Sequence, residues 1–312
     1  MTADTTHLSR AALLFLARKP ALKDLATRLG PFRKLASRFI AGESLEEALD
    51  AVKALGAKGF MASFDHLNEA VQTPEETRAE VREYQRLLNR IDAVDVRANV
   101  SLKLTQCGLL FDEPLALENA RAVVADAAAR DSFVRIDMED NSVTQVTLDI
   151  VRQLRAEFGE PHVGAVLQSA LRRTEQDARD LCAQRIRIRL CKGAYLEKPD
   201  VAFPDKRDVD ANFIRCMRVL LDSGVYHGIA THDERMIEAT LDHATRRGLP
   251  RGAFEFQMLY GIRRDLQERL VREGHPVRIY VPYGRHWYPY FMRRLAERPA
   301  NLGFLLRNLV RG

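Results

Sequence analysis

Short apolar runs alternate with amphipathic stretches along most of this chain, from about residue 59 onward. The runs are rich in residues that favour strands, and the stretches between them have the periodicity and length of helices. Eight strands are predicted, at residues 59–64, 97–104, 133–137, 163–168, 186–191, 225–230, 253–258 and 277–281. Strands that alternate with helices indicate an α/β protein with a parallel sheet.

Several amphipathic stretches are flanked by residue types that begin or end helices. Thr73 can cap a helix whose first residue is Pro74, and Glu76 completes a capping box. Three glycines follow apolar-periodic stretches and predict helix ends, namely Gly224, Gly248 and Gly274.

The beginning of the chain has a different pattern, with helical periodicity and no predicted strand. Consecutive helices are predicted from about residue 7 to residue 55, with a break at Pro20 and a capping box formed by Ser44 and Glu47. We therefore predict an N-terminal helical arm over residues 1–56.

Eight strand–helix units over residues 57–312 match a (β/α)8 barrel of the TIM type, which typically needs about 250 residues. A doubly wound sheet is the competing fold, but it usually carries a glycine-rich phosphate-binding turn after its first strand. No such turn follows the first predicted strand here. The sequence therefore favours the barrel.

Composition and charge exclude several classes of protein. Hydrophobic residues make up 46% of the chain and charged residues 29%, which is typical of a globular protein. The longest apolar run near the start is shorter than the roughly 20 residues of a membrane span, and no signal-peptide cleavage site follows it. Four cysteines without a C-x-x-C pair predict free thiols in an intracellular protein. The net charge of +5 comes from dispersed basic residues, so no nucleic-acid partner is predicted.

The chemistry of a (β/α)8 barrel lies at the carboxyl ends of its strands, so polar residues at those positions are candidate site residues. The candidates, in chain order, are Asp65, His66, Glu69, Lys103, Asp137, Glu139, Asp140, Gln168, Arg189, Lys192, Gly193, Tyr195, Thr231, His232, Asp233, Gln257, Tyr260, Tyr280, Tyr283 and Gly284.

Two lysines among these candidates point to specific chemistry. Lys103 interrupts an apolar run, so it must pair with a carboxylate or bind an anion if it points inward, and Asp137 is its predicted partner. The alternative is an edge lysine with a solvated tip. Lys192 precedes Gly193 and can be a phosphate ligand, a Schiff-base nucleophile or a solvated loop residue, and the sequence leaves these three open.

A metal centre is not predicted. His66, His232 and His286 stand alone in the sequence, without a spacing that would place two ligands on one side of an element.

The last predicted helix directs aromatic and basic side chains together. Trp287, Tyr290 and Arg294 fall on one helical face, and Arg293 is adjacent. Two neighbouring arginines near the mouth of a barrel favour a carboxylate or phosphate ligand. The alternative is an amphipathic helix whose aromatics are core and whose arginines form ion pairs.

From about residue 60 to residue 302, the sequence resembles the flavin-dependent proline dehydrogenases in their short, monofunctional bacterial form. The matching segments are Leu102–Leu104, Ile136–Glu139, Leu167–Gln168, Arg189–Tyr195, Ala230–Asp233, Glu255–Gly261 and the stretch from Arg278 to Arg294.

This resemblance implies an FAD enzyme that oxidises L-proline to 1-pyrroline-5-carboxylate by hydride transfer from C5 to the flavin N5, the first step of proline catabolism to glutamate. It also implies that electrons pass to a membrane quinone. The expected location is the cytoplasm. Peripheral contact with the inner face of the cytoplasmic membrane is compatible with this expectation. An enzyme that transfers hydride needs such a cofactor, because no protein side chain is a good hydride acceptor.

The resemblance also implies roles for individual residues. The substrate carboxylate is held by Lys103, Arg293 and Arg294, and the remaining substrate positions are Asp137, Tyr195, Leu259 and Tyr280. Lys103, Asp137, Arg189 and Tyr280 are the implied catalytic residues. The implied FAD contacts are Gln168, Arg189, Lys192, Gly193, Ala194, Thr231, His232 and Glu297. Glu69 is implied to close the site by pairing with an arginine.

Two other functions remain as alternatives. A Schiff-base aldolase or lyase on the same barrel would use Lys192 or Lys103 as its nucleophile. A nucleic-acid binder is supported only by the net charge.

Overall fold

The computed structural model describes residues 36–68, 71–94 and 96–297, with side chains described as far as residue 294. Eight parallel strands form a closed barrel in which each strand pairs with its neighbours in the chain and β1 pairs with β8. The strands are β1 Met61–His66, β2 Ala98–Leu102, β3 Val134–Ile136, β4 Val163–Gln168, β5 Arg187–Cys191, β6 His227–Ala230, β7 Phe254–Leu259 and β8 Val277–Tyr283. The predicted (β/α)8 barrel is confirmed.

In the described part of the chain, helix α1 precedes the barrel and a helix follows every strand. They are α1 Leu45–Gly56, α2 Pro74–Val94, α3 Glu113–Ala128, α4 Thr144–Phe158, α5 Thr174–Ala183, α6 Lys206–Asp222, α7 Glu234–Arg246, α8 Arg264–Arg272 and α9 Trp287–Glu297. A short 3-10 helix, Asn141–Val143, leads into α4.

All eight predicted strands are present, and their ends differ from the prediction by a few residues. β2 stops at Leu102 because Lys103 and Leu104 accept hydrogen bonds from the turn that follows them. β8 extends to Tyr283 because its pairing with β1 continues to the end of that strand, where His66 lies opposite Tyr283.

The predicted helix caps are also confirmed. The Glu47 amide donates to the Ser44 hydroxyl at 3.3 Å, and the Ser44 amide donates to the Glu47 carboxylate at 3.0 Å. Thr73 and Glu76 form the same reciprocal pair. The three predicted stop glycines all have positive φ: Gly224, Gly248 and Gly274.

Only the last part of the predicted N-terminal arm can be compared with the structure, because residues 1–35 lie outside the described residues. Helix α1 buries Leu45, Ala48, Leu49 and Val52 in the same hydrophobic core as the barrel strands. The proposed boundary between arm and barrel at residue 56 stays a prediction.

The strands have an apolar face toward the helices, and most of them have polar side chains toward the barrel axis. The outward side chains of β1 to β3, including Phe64, Val100 and Ile136, belong to the main hydrophobic core. The alternating positions carry polar side chains that contact one another across the barrel: Ser63, Asp65, Ser101, Lys103, Asp137, Arg189, Gln257 and Tyr280. The core therefore lies between the barrel and its helices, and the interior of the barrel is built from polar contacts.

Two further findings concern the cysteines and the membrane. Cys107, Cys182, Cys191 and Cys216 are all free, as predicted. Within the described residues, no helix combines the length and the apolar character needed to cross a membrane.

A glycine in β4 makes room for a buried arginine. A Cβ atom on Gly164 would lie 2.8 Å from Arg135 Nη1 and 2.8 Å from Phe133 Cζ, and closer still to the backbone oxygen of Arg187. A backbone atom of a neighbouring strand cannot move aside without disturbing the barrel.

We therefore predict that Gly164→Ala lowers the free energy of unfolding by about 1–3 kcal/mol, because overpacking forces the strands apart. Gly252→Ala is the matched control, since nothing lies within 4 Å of its added Cβ. The measurement is urea unfolding of both variants and the parent protein. Equal stability of the two variants would show that β4 and β5 have room for a methyl group.

Candidate active site at the carboxyl ends of the strands

A cavity of about 580 Å³ opens at the carboxyl ends of the strands. This volume is typical of cofactor and small-molecule sites. Fourteen of the residues to which the resemblance assigns a role line it: Lys103, Asp137, Gln168, Arg189, Lys192, Gly193, Ala194, Tyr195, Thr231, His232, Leu259, Tyr280, Arg293 and Arg294. Predicted Glu69 lies outside the described residues, and so does the side chain of Glu297.

Lys103 forms a buried ion pair at the floor of this cavity. Its ammonium donates to Asp65 Oδ1 at 2.6 Å, and both side chains are buried. Burial raises the pKa of Asp65 above its usual value, although the charge of Lys103 opposes this shift. Asp65 Oδ2 is buried and has no hydrogen-bond partner among the described residues. The ion pair therefore satisfies one oxygen of Asp65 and leaves the other buried beside the cavity floor.

The predicted partner of Lys103 was wrong. Asp137, the residue predicted for that role, accepts a 2.6 Å bond from Arg189 Nη1 on one oxygen and a 2.7 Å bond from the Tyr280 hydroxyl on the other. β1 and β3 both flank β2, so each supplies an inward carboxylate near Lys103. The lysine pairs with the carboxylate of β1.

Arg189 is the centre of the polar contacts inside the barrel. Only 7% exposed, it bonds Asp137, donates to the Ser101 hydroxyl at 3.0 Å and donates to the side-chain oxygen of Gln257. Its guanidinium carbon lies 5.1 Å from the ring centroid of Tyr280. These contacts come from four strands, so they fix the guanidinium from several directions.

The contacts continue toward the other end of the barrel. Gln257 donates to Glu255 at 2.5 Å, and Glu255 accepts two bonds from Arg278, at 2.7 and 3.0 Å. Burial alone would raise the pKa of Glu255, but Arg278 and the other donors outweigh it and lower the pKa to about 2. Gly228 makes room for this chain, since a Cβ there would lie 2.7 Å from Gln257 Cδ.

Lys192 lies between two carboxylates at the edge of the cavity. Its ammonium donates to Asp210 at 2.5 Å and to Asp233 at 2.7 Å. Lys206 contacts the same two residues. Of the three possibilities for Lys192, a solvated loop residue is not observed, because two carboxylates hold its side chain at the edge of the cavity.

The remaining predicted cofactor positions form one wall of the cavity. His232 Nε2 accepts from the Leu259 amide at 2.9 Å, so this nitrogen carries no proton. Gln168 donates to the Glu139 backbone oxygen at 2.8 Å. Gly193 has a φ of +109°, and a Cβ there would lie 3.0 Å from Gln168 Oε1. This wall is therefore shaped by glycine and by side chains whose own bonds hold them in place.

Helix α9 covers the cavity with one aromatic ring and two guanidiniums. Tyr290 and Arg294 lie one turn apart and both line the cavity, with the guanidinium carbon 5.1 Å from the ring centroid. The corresponding distance for Arg293 is 6.0 Å.

Trp287 does not belong to this group, which corrects the prediction that it lies beside them. Its ring packs against Phe291 in a second hydrophobic cluster, and its Nε1 donates to Glu43 at 3.2 Å. The start of α9 therefore packs on the segment before α1.

The cavity favours an anionic ligand. Five of its lining residues are cationic, namely Lys103, Arg189, Lys192, Arg293 and Arg294, and three are carboxylates, namely Asp65, Asp137 and Asp233. Within the described ranges, no cluster of three histidine, cysteine or acidic side chains could hold a metal ion.

Sequence reasoning missed part of the site. Asp65 and Gln257 were recognised as polar strand ends but were given no role, and Ser63 and Ser101 were not considered. A signal was present in the sequence: polar residues two positions apart, as in Ser63 with Asp65 and Glu255 with Gln257, indicate one inward strand face. Several strands with such a face predict a polar barrel interior.

A family model and two relatives that match nearly the whole chain carry the same name. The sequence model of the family described as Proline dehydrogenase matches residues 48–307. The "Proline dehydrogenase" of Deinococcus radiodurans is 44% identical over 309 residues, covering 98% of this chain and 99% of that protein. "Proline dehydrogenase 1" of Bacillus subtilis is 41% identical over 306 residues, covering 97% and 99%.

A solved structure with the same fold is proline utilization A (PutA) from Bdellovibrio bacteriovorus, inactivated by N-propargylglycine. It matches with a TM-score of 0.80 and 26% identity, over 85% of this chain and 32% of that chain. The present chain therefore spans about a third of the PutA chain, whereas it spans nearly the whole length of the two shorter relatives.

Burial of the Arg189–Asp137 pair leads to a stability prediction. Asp137→Asn leaves the Arg189 charge buried without its carboxylate, so we expect a loss of about 3–5 kcal/mol in the free energy of unfolding. Tyr280→Phe removes one hydrogen bond to a charged group and should cost about 1.5–3 kcal/mol. The measurement is chemical denaturation of each variant under the same conditions.

Asp149→Asn is the matched control. Asp149 accepts from Arg152 Nη1 at 2.7 Å, nearly the distance of the buried pair, but its side chain is 49% exposed. An exposed pair contributes about 0–1 kcal/mol. Similar losses for Asp137→Asn and Asp149→Asn would contradict the claim that burial makes the inner pair important.

Proposed function

Because this chain belongs to the proline dehydrogenase family, we propose that it oxidises L-proline to 1-pyrroline-5-carboxylate with FAD as the hydride acceptor. The observation that carries the proposal is the cavity at the carboxyl ends of the strands. Three cationic side chains that can bind a carboxylate line this cavity: Lys103, Arg293 and Arg294. Arg189, with its buried polar contacts, lines it as well.

The residues present are compatible with a flavin cofactor. Gly193 shapes one wall of the cavity, and the cationic side chains that line the cavity outnumber the carboxylates. Both features suit a ligand with an anionic pyrophosphate. Bound FAD supplies the acceptor for the hydride that leaves C5 of proline. The proposed contacts to it are Gln168, Arg189, Lys192, Gly193, Ala194, Thr231, His232 and Glu297.

The substrate carboxylate is assigned to Lys103, Arg293 and Arg294. Guanidiniums bind carboxylates through parallel N–H donors, so an adjacent pair on one helix fits this group well. The same positive charges disfavour a protonated substrate amine, and hydride transfer needs the neutral amine. Tyr195, Leu259 and Tyr280 complete the substrate pocket.

Arg189 and Asp137 are assigned to the reacting end of the pocket. A guanidinium held by fixed contacts can stabilise negative charge that develops beside it, without reorganising during the reaction. Asp137 neutralises part of this charge in the resting protein and fixes the Tyr280 hydroxyl.

Several further assignments rest on family membership. Glu69 is proposed to close the site by pairing with an arginine of α9. We also propose that a membrane quinone takes up the electrons, that the protein works in the cytoplasm, and that it contacts the inner face of the cytoplasmic membrane peripherally.

The geometry disfavours the Schiff-base alternative. An amine must be uncharged to attack a carbonyl, and such lysines are usually found in apolar surroundings or next to another cation. Lys192 lies between two carboxylates, and Lys103 donates to Asp65 at 2.6 Å. Both amines are therefore engaged in ion pairs, in surroundings that are neither apolar nor next to another unpaired cation.

The carboxylate assignment leads to a kinetic prediction. Arg294→Met should weaken apparent proline affinity by about ten- to a hundredfold, because it removes a charge-assisted hydrogen bond of roughly 1.5–3 kcal/mol. Prolinamide lacks the carboxylate, so the parent and the variant should use it almost equally well. The measurement is steady-state kinetics with an artificial electron acceptor.

Arg285→Met serves as the control, because Arg285 is exposed and does not line the cavity. This variant should leave both substrates unaffected. Equal losses for proline and prolinamide in Arg294→Met would mean that Arg294 supports the fold or the cofactor, and the carboxylate assignment would be withdrawn.

A further inference from the structure

A second cavity lies at the opposite end of the barrel, where the strands begin. Its volume is about 460 Å³, and it shares no residue with the cavity at the carboxyl ends of the strands. Residues at the starts of β1, β2, β5 and β8 line it, together with the loops that precede β3 and β4: Met61, Ala98, Asn99, Phe133, Pro161, Arg187 and Arg278. We call it the N-terminal cavity.

The guanidinium of Arg187, which lines this cavity, stacks on aromatic rings and forms no ion pair within the described residues. It lies between two aromatic rings, with its guanidinium carbon 4.5 Å from the centroid of Phe133 and 4.9 Å from that of Tyr226. Its Nε is buried without a hydrogen-bond partner, and no carboxylate in the described part of the chain forms an ion pair with it. Aromatic stacking holds the guanidinium plane while leaving its N–H donors for a ligand.

A second buried arginine adds positive charge behind Arg187. Arg135 is 3% exposed, and its guanidinium donates to the backbone oxygens of Ala165 and Arg187, at 3.0 and 2.6 Å. Burial, reinforced by Arg189 and Arg187, lowers the pKa of Arg135 well below its usual value. Neutral carbonyl groups do not balance a buried charge.

The carboxylate nearest to these two arginines already has a partner. Glu255 forms its two-bond ion pair with Arg278 and also accepts from the Tyr226 hydroxyl at 2.9 Å. Nearby His227 is also affected, because burial and then the charges of Arg135 and Arg187 lower its pKa to about 3. The inner end of the cavity thus has three guanidiniums, those of Arg135, Arg187 and Arg278, and one carboxylate, that of Glu255. Positive charge is in excess there.

The rim of the cavity is mixed in charge. Arg97 and Arg130 line it, and so do the exposed carboxylates Asp92 and Asp131. Arg130 is already bonded to Asp126. Asn99, which also lines the cavity and is 9% exposed, has a buried side-chain oxygen without a hydrogen-bond partner. The inner end therefore combines unmatched cations with an amide that has hydrogen-bonding capacity left.

We propose that the N-terminal cavity binds a small oxyanion of the phosphate class, with Arg187 as its principal ligand and Arg97 as a second ligand at the rim. The planar guanidinium donates two parallel N–H bonds to oxygens of the anion. The anion balances the charge of Arg187 and Arg135, which relieves the cost of burying them. Asn99 Oδ1 completes the site by accepting a hydrogen bond from a P–OH group of the protonated anion. This site is independent of the oxidation of proline at the other end of the barrel.

The test is isothermal titration calorimetry of the full-length, FAD-loaded protein with inorganic phosphate, with ionic strength held constant by chloride. Saturable binding to the parent protein is expected. Arg187→Met should weaken it by about ten- to a hundredfold, as for loss of a hydrogen-bonded charge. Arg185→Met is the matched control, because Arg185 lies two residues before Arg187 but is exposed and pairs with Glu160. It should bind phosphate like the parent.

Arg97→Met provides a second test that does not depend on the folding of Arg187→Met. It removes an exposed rim cation, and phosphate affinity should fall by about threefold to tenfold. Absence of saturable binding to the parent protein would overturn the proposal. Phosphate binding to Arg187→Met as tight as to Arg185→Met would also overturn it. If Arg187→Met does not fold, the same comparison is made with Arg97→Met, and equal affinity would again overturn the proposal. Proline oxidation should be the same with and without phosphate, so failure here leaves the proposed function untouched.

Discussion

Charge balance inside the barrel is the constraint on which the rest of the structure depends. Many (β/α)8 barrels fill their interior with branched apolar side chains. Here the inward positions carry Lys103, Asp65, Asp137, Arg189 and Glu255, and each of these charges has a partner of opposite sign at hydrogen-bonding distance. Partners from different strands must therefore lie at fixed heights, and the register of the sheet sets those heights. The same requirement that holds the barrel together also orients the groups of the site.

This constraint divides the barrel into two ends with different chemistry. At the carboxyl end, five cationic and three acidic side chains line the cavity to which the anionic substrate and cofactor are assigned. In the middle, Gln257 links Arg189 to Glu255. At the amino end, Glu255 forms its ion pair with Arg278. Arg187, which stacks on Phe133, forms no ion pair with a carboxylate of the described residues. Glycines at the points of closest approach, Gly164 and Gly228, make both arrangements sterically possible.

The sequence was sufficient to predict the barrel, because eight apolar runs with helical spacers and reliable caps leave few alternative folds. It was also sufficient to predict which residues gather at one end, because all parallel strands point the same way. It could not show that Lys103 pairs with Asp65, because two neighbouring strands both offer a carboxylate and only the three-dimensional register decides between them. Trp287 was misplaced for a related reason: helical spacing gives a face, but the neighbour that covers each turn comes from a distant segment, here Glu43.

The central claim is that the carboxyl-end cavity brings proline and a flavin together, and anaerobic titration of the FAD-loaded protein with L-proline tests it most directly. Visible absorption reports the oxidation state of the flavin without any added electron acceptor. If proline and FAD share this cavity, the flavin absorption bands should disappear as L-proline is added. A folded protein that binds no FAD, or bound flavin whose bands persist in excess L-proline, would contradict it.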